Sequence, residues 1–381
     1  MVSIANICLD VRSVRELLGS IAPQNPVSPI LENQGIDSLY HQNFPIYPIN
    51  SVAKPVDIAP IHAPTDLTAK AASKHKVLIV KLGYSETLVA DIGNRCSLGD
   101  VFRTTVVLHL LKNDHVTWLT DKAAIPLLEG NPYIDRILPF DLPSVLPLLG
   151  EKYDEVINLE KVPGVCYLVS KISASRHYGF RFDERSNSVN ACPAANDALA
   201  IGTEDERKKN NNKTLEEVVF SIIGGNWHGE TYILGYKPKT EPIYDIGFNM
   251  HVGDKFPTKA WPISYWKILE DMVKDKYTCS YQQHLNNLNG YMDWINTCRL
   301  LITSDSLGLH LGVALGKKVL ALFGPTSPFE ISPSHRLRVL TPTVERSCIP
   351  CWKGECAHND VCMSHITPQT VLDVIDDWGV K

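Results

Sequence analysis

No stretch of eighteen or more apolar residues occurs in the 381-residue chain, so nothing in it is built to cross a membrane as a helix. Residues 1–19 lack the unbroken apolar core of a secretory signal, because Asp10, Arg12, Arg15 and Glu16 interrupt it. These two absences make the cytoplasm the expected location. A basic excess is missing too: 37 lysines and arginines face 42 acidic residues, a net charge of −5. That balance argues against a nucleic-acid or membrane-surface binder. Nor do the ten cysteines form the spread framework of a small secreted domain. Cys8, Cys96, Cys166, Cys192, Cys279 and Cys298 are scattered, and the other four crowd into one segment near the C-terminus.

What is present is a folded composition, 44% hydrophobic and 21% charged, at a length that predicts two to three domains. Residues 1–20 read as a short helix with Val11, Val14, Leu17 and Leu18 on one face. Prolines then punctuate the chain from Pro23 to Pro64, too densely for long helices or central strands. Residues 21–73 are therefore read as an extended arm or small irregular subdomain. Its apolar residues, Ile46, Tyr47, Ile49, Val56 and Ile58, are suited to lying against a second subunit, which makes a homo-oligomer the expectation.

From Lys76 the texture changes. Residues 77–80, 116–119, 134–140 and 155–159 are short apolar runs of the kind found in strands buried on both faces, with a helix predicted over 101–111. Residues 203–213 carry no apolar side chain and read as an exposed loop. Strands resume at 243–250, 299–304, 318–323 and 336–340. Strands alternating with helices predict an α/β fold of two parallel, doubly wound units joined near residues 235–242. The expected division is an N-terminal extension over 1–75, one unit over 76–238 and a second over 239–381. Ligands of such sheets sit at the carboxyl ends of strands, facing the cleft. A closing helix is predicted from its cap Thr367 and Pro368 to Gly379, with Val371, Val374, Ile375 and Trp378 as its apolar stripe.

Three stretches invite chemistry. In 301–310 an apolar strand ends in Ser304-Asp305-Ser306, and Leu307, Gly308 and His310 follow as a helix starts. Free N–H groups and the positive dipole end there suit a diphosphate. Gly308 would admit a ligand closely and His310 would donate to a phosphate oxygen. The same residues equally suit a plain helix start capped by Asp305 or Ser306, with His310 packed. In Ser97-Leu98-Gly99-Asp100, Asp100 read alone is an ordinary helix cap. In Phe256-Pro-Thr-Lys259-Ala-Trp261-Pro262, Lys259 read alone is a solvated lysine.

Together these stretches resemble the family 9 glycosyltransferases, the ADP-heptose-using heptosyltransferases. That family carries Asp-Ser-Gly-x-x-His and later Phe-Gly-x-Thr, matched here by Asp305 to His310 and by Phe323-Gly324-Pro325-Thr326, although Leu307 stands where the first glycine is usual. Its Gly-Asp before a helix matches Gly99-Asp100, and its Lys-x-Trp-Pro matches Lys259 to Pro262. The resemblance covers about residues 76–378. It implies a GT-B fold of two Rossmann-like domains, ADP-heptose as donor, and inversion at the anomeric carbon with no catalytic divalent metal. It further implies Asp100 as general base, Lys259, Ser306, Leu307, Gly308, His310 and Gly324 at the donor, and Asp305 on the sugar hydroxyls. Residues 277–284, where base recognition would fall, match no family segment.

The remaining constellation is Cys348-x2-Cys351-x4-Cys356-x5-Cys362. Four thiolates so close suit a closed tetrahedral site for structural iron or zinc, against the plainer reading of four free thiols; His358 reads as a surface residue. The autotransporter-modifying heptosyltransferases look similar here and carry an iron-binding cysteine finger. The resemblance thus implies heptosyl transfer to serines of an acceptor protein, or alternatively to the core of lipopolysaccharide (a lipooligosaccharide acceptor). A third possibility of another class is a non-catalytic, metal-stabilised sugar-nucleotide-binding protein.

Overall fold

Alternation decides how each half of the chain builds its core. In the computed structural model, which describes residues 74–85, 93–284 and 286–380, strand β1 (Lys76–Val80) sends Val77 and Ile79 to one face and Leu78 and Val80 to the other, all fully buried. The first pair joins Trp118, Ile157 and Phe220 in one core, and the second joins Leu119, Val156 and Leu148 in another. A strand covered on both faces has no polar side to show, which is why the run is uninterrupted. The expected reading of 1–75 as an N-terminal extension, with its oligomer contact, lies almost wholly outside the described residues.

The first sheet adds β2 (His115–Thr120), β3 (Arg136–Pro139), β4 (Lys152–Asn158), β5 (Ser173–Asp183) and β6 (Ser188–Ala191), in the order β3-β2-β1-β4-β5-β6. All pairs are parallel except β5 with β6. The second sheet contains β7 (Tyr244–Asn249), β8 (Cys279–Tyr281), β9 (Cys298–Ser304), β10 (Lys318–Leu322) and β11 (Leu337–Leu340), ordered β11-β10-β9-β7-β8 and wholly parallel. It too is buried on both faces: Ile246, Phe248, Ile302 and Leu320 lie in one core, Leu301, Val319 and Ala321 in another. The fold is therefore α/β with two parallel sheets, as anticipated. Among the described residues no helix is long and apolar enough to cross a membrane.

Three local expectations need correction or refinement. Residues 203–213 are not simply a loop: Asp205–Lys209 is a helix with no buried residue. Asp205 and Glu206 in its first turn and Arg207, Lys208 and Lys209 in its last complement the helix dipole, so charge sustains what apolar periodicity does not. The helix expected over 101–111 is α-helical at Leu98–Arg103 and then tightens to a 3-10 helix over Thr104–Leu110. There the Thr104 and Thr105 hydroxyls donate back to the carbonyls of Val101 and Phe102, at 2.7 and 2.8 Å. Strands β5 and β6 escaped notice because their half-exposed, polar sequence lacks an apolar run.

The closing helix runs Pro368–Trp378, with the Thr367 hydroxyl accepting from the Thr370 N–H and Gly379 at φ 67°. Val371 and Ile375 are fully buried with Ile246, Phe248 and Trp266, so the helix belongs to the second sheet. Periodicity shows that this helix has a buried face but not which core receives it.

Candidate active site

The carboxyl end of β1 opens the site. Lys81 follows the strand directly and is buried, and its ammonium reaches Asp100 at 2.5 Å and Glu160 at 3.4 Å. Glu160, fully buried just beyond β4, accepts the backbone N–H groups of Leu82 and Gly83, each at 2.7 Å, and the hydroxyl of Ser85. One carboxylate thereby organises the whole turn after β1. Asp100 lies in the first turn of helix Leu98–Arg103, whose N-cap is Ser97 and not Asp100. Its carboxylate is thus free of capping and is committed to Lys81. Burial pushes the Asp100 carboxyl up, but the charge of Lys81, its hydrogen bond, and Lys161 and Arg103 outweigh that and hold it below the ordinary carboxylate range.

The second half of the site grows from β9. Asp305 follows the strand; the helix Leu307–Ala314 has Ser306 as N-cap but no side-chain capping bond, so its first N–H groups are open to a ligand. Lys259 ends the short turn Pro257–Lys259, which is anchored by the buried Trp261 donating to the Ile366 carbonyl at 2.8 Å. The Lys259 ammonium meets Asp305 at 3.0 Å, and His310 lies 4.0 Å from the other carboxylate oxygen. Burial pushes Asp305 up, yet Lys259, His310 and Arg103 hold its carboxyl well below its usual range. Burial, then the charge of Arg103, pushes His310 well below its ordinary value, leaving a neutral imidazole.

Both halves line one cavity of about 350 Å³, within the ~300–1,000 Å³ usual for small-molecule sites. It brings together Asp100, Lys259, Asp305, Ser306, Leu307 and His310. A side-chain carbon placed at Gly99 would stand 3.5 Å from the His310 ring, so the two helix starts approach closely. Among the described residues, the buried Arg103 Nε, His310 Nδ1 and Thr326 Oγ1 have no hydrogen-bond partner, and all three residues border this cavity. Buried polar atoms of this kind cost about 1–3 kcal/mol each when unsatisfied, and a polar ligand would satisfy them.

Two expected donor residues, Gly308 and Gly324, are not among those lining the cavity. Gly308 is buried and does not border the cavity; a methyl there would come within 2.5 Å of Asn249 Nδ2 and Tyr291 Oη. The glycine accommodates those side chains, and Gly308→Ala should destabilise the protein by about 1–3 kcal/mol in denaturant unfolding, as overpacking does. Gly324 faces the cysteine segment: a methyl there would lie 2.6 Å from Met363 Sδ and 2.9 Å from Cys362 Sγ. Sequence reading missed Lys81, Arg103, Glu160, Lys161 and Lys255. Lys81 and Glu160 had an available signal, since each lies at the carboxyl end of a recognised strand. Arg103 and Lys255 had none.

In the cysteine segment Cys362 is buried, Cys348 and Cys351 are half-buried and Cys356 is exposed, all as free thiols. Burial, then the proximity of Cys351, Cys356 and Cys348, pushes the Cys362 thiol up to about 11. Cys348 Sγ also lies 3.6 Å from His358 Nε2. The four are neighbours, yet among the described residues no group of three or more His, Cys, Asp or Glu is arranged to hold a metal ion. Trp352, directly after Cys351, borders the cavity; its N–H donates to the Pro325 carbonyl at 2.8 Å and its indole to Glu330 at 3.0 Å.

Two α/β sheets whose strand-end charges and helix start share one cavity have the geometry of an open α/β ligand site. Comparison with known proteins sharpens it. Residues 286–361 match glycosyltransferase family 9 (heptosyltransferase). Lipooligosaccharide heptosyltransferase 2 of Campylobacter jejuni is 30% identical over 79 residues, covering 20% of this chain and 25% of the relative. The Haemophilus influenzae protein of the same name is 29% identical over 96 residues, 25% of this chain and 28% of the relative. The matched region thus spans about a quarter of these curated relatives. The E. coli ADP-heptose lps heptosyltransferase II superposes at a TM-score of 0.55 with 15% identity, over 80% of this chain and 98% of that one. An E. coli heptosyltransferase solved with ADP gives 0.53 and 16%, over 80% and 100%. These likenesses establish a GT-B-type fold, and with the family match they support a glycosyltransferase enzyme.

Proposed function

We propose that the chain is an inverting glycosyltransferase that moves a heptose from ADP-heptose to an acceptor hydroxyl. The observation that carries this reading is the single cavity in which Asp100 faces the Lys259–Asp305–His310 group and an uncapped helix start. The first sheet supplies the acceptor side and the second the donor side. Asp100 takes the proton of the acceptor hydroxyl as its oxygen bonds to the anomeric carbon. The bond from that carbon to the diphosphate oxygen breaks, and its electron pair leaves with ADP. Lys259 and the N–H groups at Leu307 meet the growing charge, work that a divalent metal does in other enzymes. Asp305 orients sugar hydroxyls, and neutral His310 offers a ring N–H to a phosphate oxygen.

The four-cysteine segment, by its likeness to the autotransporter-modifying group, supports serines of a protein as acceptor. The curated relatives, named for lipooligosaccharide, support a saccharide acceptor as the second reading. A structural iron or zinc held by Cys348, Cys351, Cys356 and Cys362 belongs to the same proposal. A protein that only binds the sugar nucleotide would need Asp100 for no more than its pair with Lys81.

Incubation with ADP-heptose and either a serine-bearing peptide or a truncated lipooligosaccharide, read by mass spectrometry, tests the reading. Bound donor with neither transfer nor release of ADP would favour the binding protein, whereas release of ADP to water would still mark an enzyme. Lys259→Ala should weaken ADP binding about 10- to 100-fold, since it removes a charge-assisted bond of about 1.5–3 kcal/mol and leaves Asp305 uncompensated beside the diphosphate. Calorimetry with ADP decides this, and unchanged affinity would take Lys259 out of the donor site.

A further inference from the structure

Among the cations that line the cavity, Lys161 is one that donor binding does not use. Lys161 stands at the carboxyl end of the first sheet, next to Glu160, and borders the cavity. Its backbone N–H donates to the Ser85 hydroxyl at 2.6 Å, which fixes where the side chain begins. Its stem occupies space left by Gly202, where a methyl would come within 2.7 Å of the Lys161 Cε. Its ammonium lies 5.0 Å from the centre of the Phe180 ring. Among the described residues no carboxylate lies within ion-pairing distance of it, because the two nearby acids, Asp100 and Glu160, are both engaged by Lys81. Burial first, then the like charge of Lys81, pushes Lys161 below the ordinary lysine range; the charges of Asp100 and Glu160 oppose this without cancelling it, and Lys208 adds to the lowering. A half-buried ammonium held in place with no carboxylate in direct contact among the described residues is stabilised further by an anion supplied from outside.

That anion is not the donor diphosphate in the proposed reading, where Lys259 and the helix Leu307–Ala314 of the second sheet hold it. We propose that Lys161 is a specificity-determining residue that binds an anionic group of the acceptor, a carboxylate or a phosphate lying beside the attacked hydroxyl. The inference rests on the glycosyltransferase reading for the word acceptor, while the anion site itself rests on the cavity. Asp100 lies close enough for its charge to act on Lys161, so an acceptor anchored there presents its hydroxyl near the base.

The test fills the donor half with saturating ADP, then measures binding of glucuronate and glucose 6-phosphate, with glucose as the uncharged control. The wild-type protein should bind at least one anionic probe about ten-fold or more tightly than glucose, and which probe wins distinguishes carboxylate from phosphate. Lys161→Ala and Lys161→Gln should abolish that preference, Lys161→Arg should restore much of it, and ADP affinity should stay within about two-fold in all three. Anionic probes that bind no better than glucose, or equally well to Lys161→Ala, overturn the proposal. So does heptosyl transfer to an uncharged serine peptide that is indifferent to the substitution. If ADP itself does not bind, the donor reading fails. The probes measured without ADP then still decide: dependence on Lys161 upholds the anion site, and dependence on Lys259 alone overturns it.

Discussion

Asp100→Asn should lower kcat by about 10²–10⁴-fold while ADP affinity changes less than about two-fold. The asparagine keeps the size of the side chain in the first helical turn but cannot take the acceptor proton. Ser97, not Asp100, is the N-cap, so the helix keeps its cap; the substitution also breaks the pair with Lys81, and thermal unfolding of the variant separates that stability loss from the loss of chemistry. Turnover at the wild-type rate would remove Asp100 from the reaction.

The same carboxylate carries a pH signature. Its pKa is held below the ordinary 3.8 chiefly by Lys81 acting against burial. A base must be deprotonated to work, so wild-type activity should not lose an acid limb to Asp100 until pH falls below about that value. Lys81→Met removes the largest lowering influence and leaves burial to raise the carboxyl. The acid limb should then move upward in pH, and a pH–rate profile of the variant beside wild type measures it. An unmoved limb would show that Lys81 does not set the charge state of Asp100.

The second large effect concerns the cysteine segment. The protein purified without chelating resin should contain about one iron or zinc per chain, and its removal should lower Tm by on the order of 10 °C. Four thiolates leave a metal no open position, so the loss should fall on stability far more than on ADP affinity. Among single Cys→Ser changes Cys362→Ser should cost most, because Cys362 is the buried member and packs against Gly324 at the end of β10. Exposed Cys356 should cost least through packing, so a large effect at that position would be a metal effect. Elemental analysis that finds no stoichiometric metal, with four titratable thiols in the segment, would overturn the assignment.

What could be read in the chain divides along a physical line. Uninterrupted apolar runs such as Val77–Val80 announce strands buried on both faces, because no polar residue survives where neither side meets water. The cap, stripe and glycine of the last helix were legible for a similar reason, being local rules of hydrogen bonding and period. The motifs at Asp100, Lys259 and Asp305 were visible as short strings.

Other features depend on partners far away in sequence. The helix Asp205–Lys209 rests on its charges and exposes no apolar signal, and β5 gains its place by pairing with β4 across a polar sequence. Why Gly308 and Gly324 carry no side chain was not legible either: Asn249, Tyr291, Met363 and Cys362 fill the space a side chain would need.

By itself, then, the sequence determined that buried parallel strands form in both halves and that charged groups stand at the ends of those strands, since burial and backbone bonding act over a few residues. Only the tertiary structure decided that Lys81 pairs with Asp100, that Lys259 pairs with Asp305, and that among the described residues no carboxylate contacts Lys161. Charge states depend on burial and on neighbours brought together across the fold, and no local pattern in the chain encodes them.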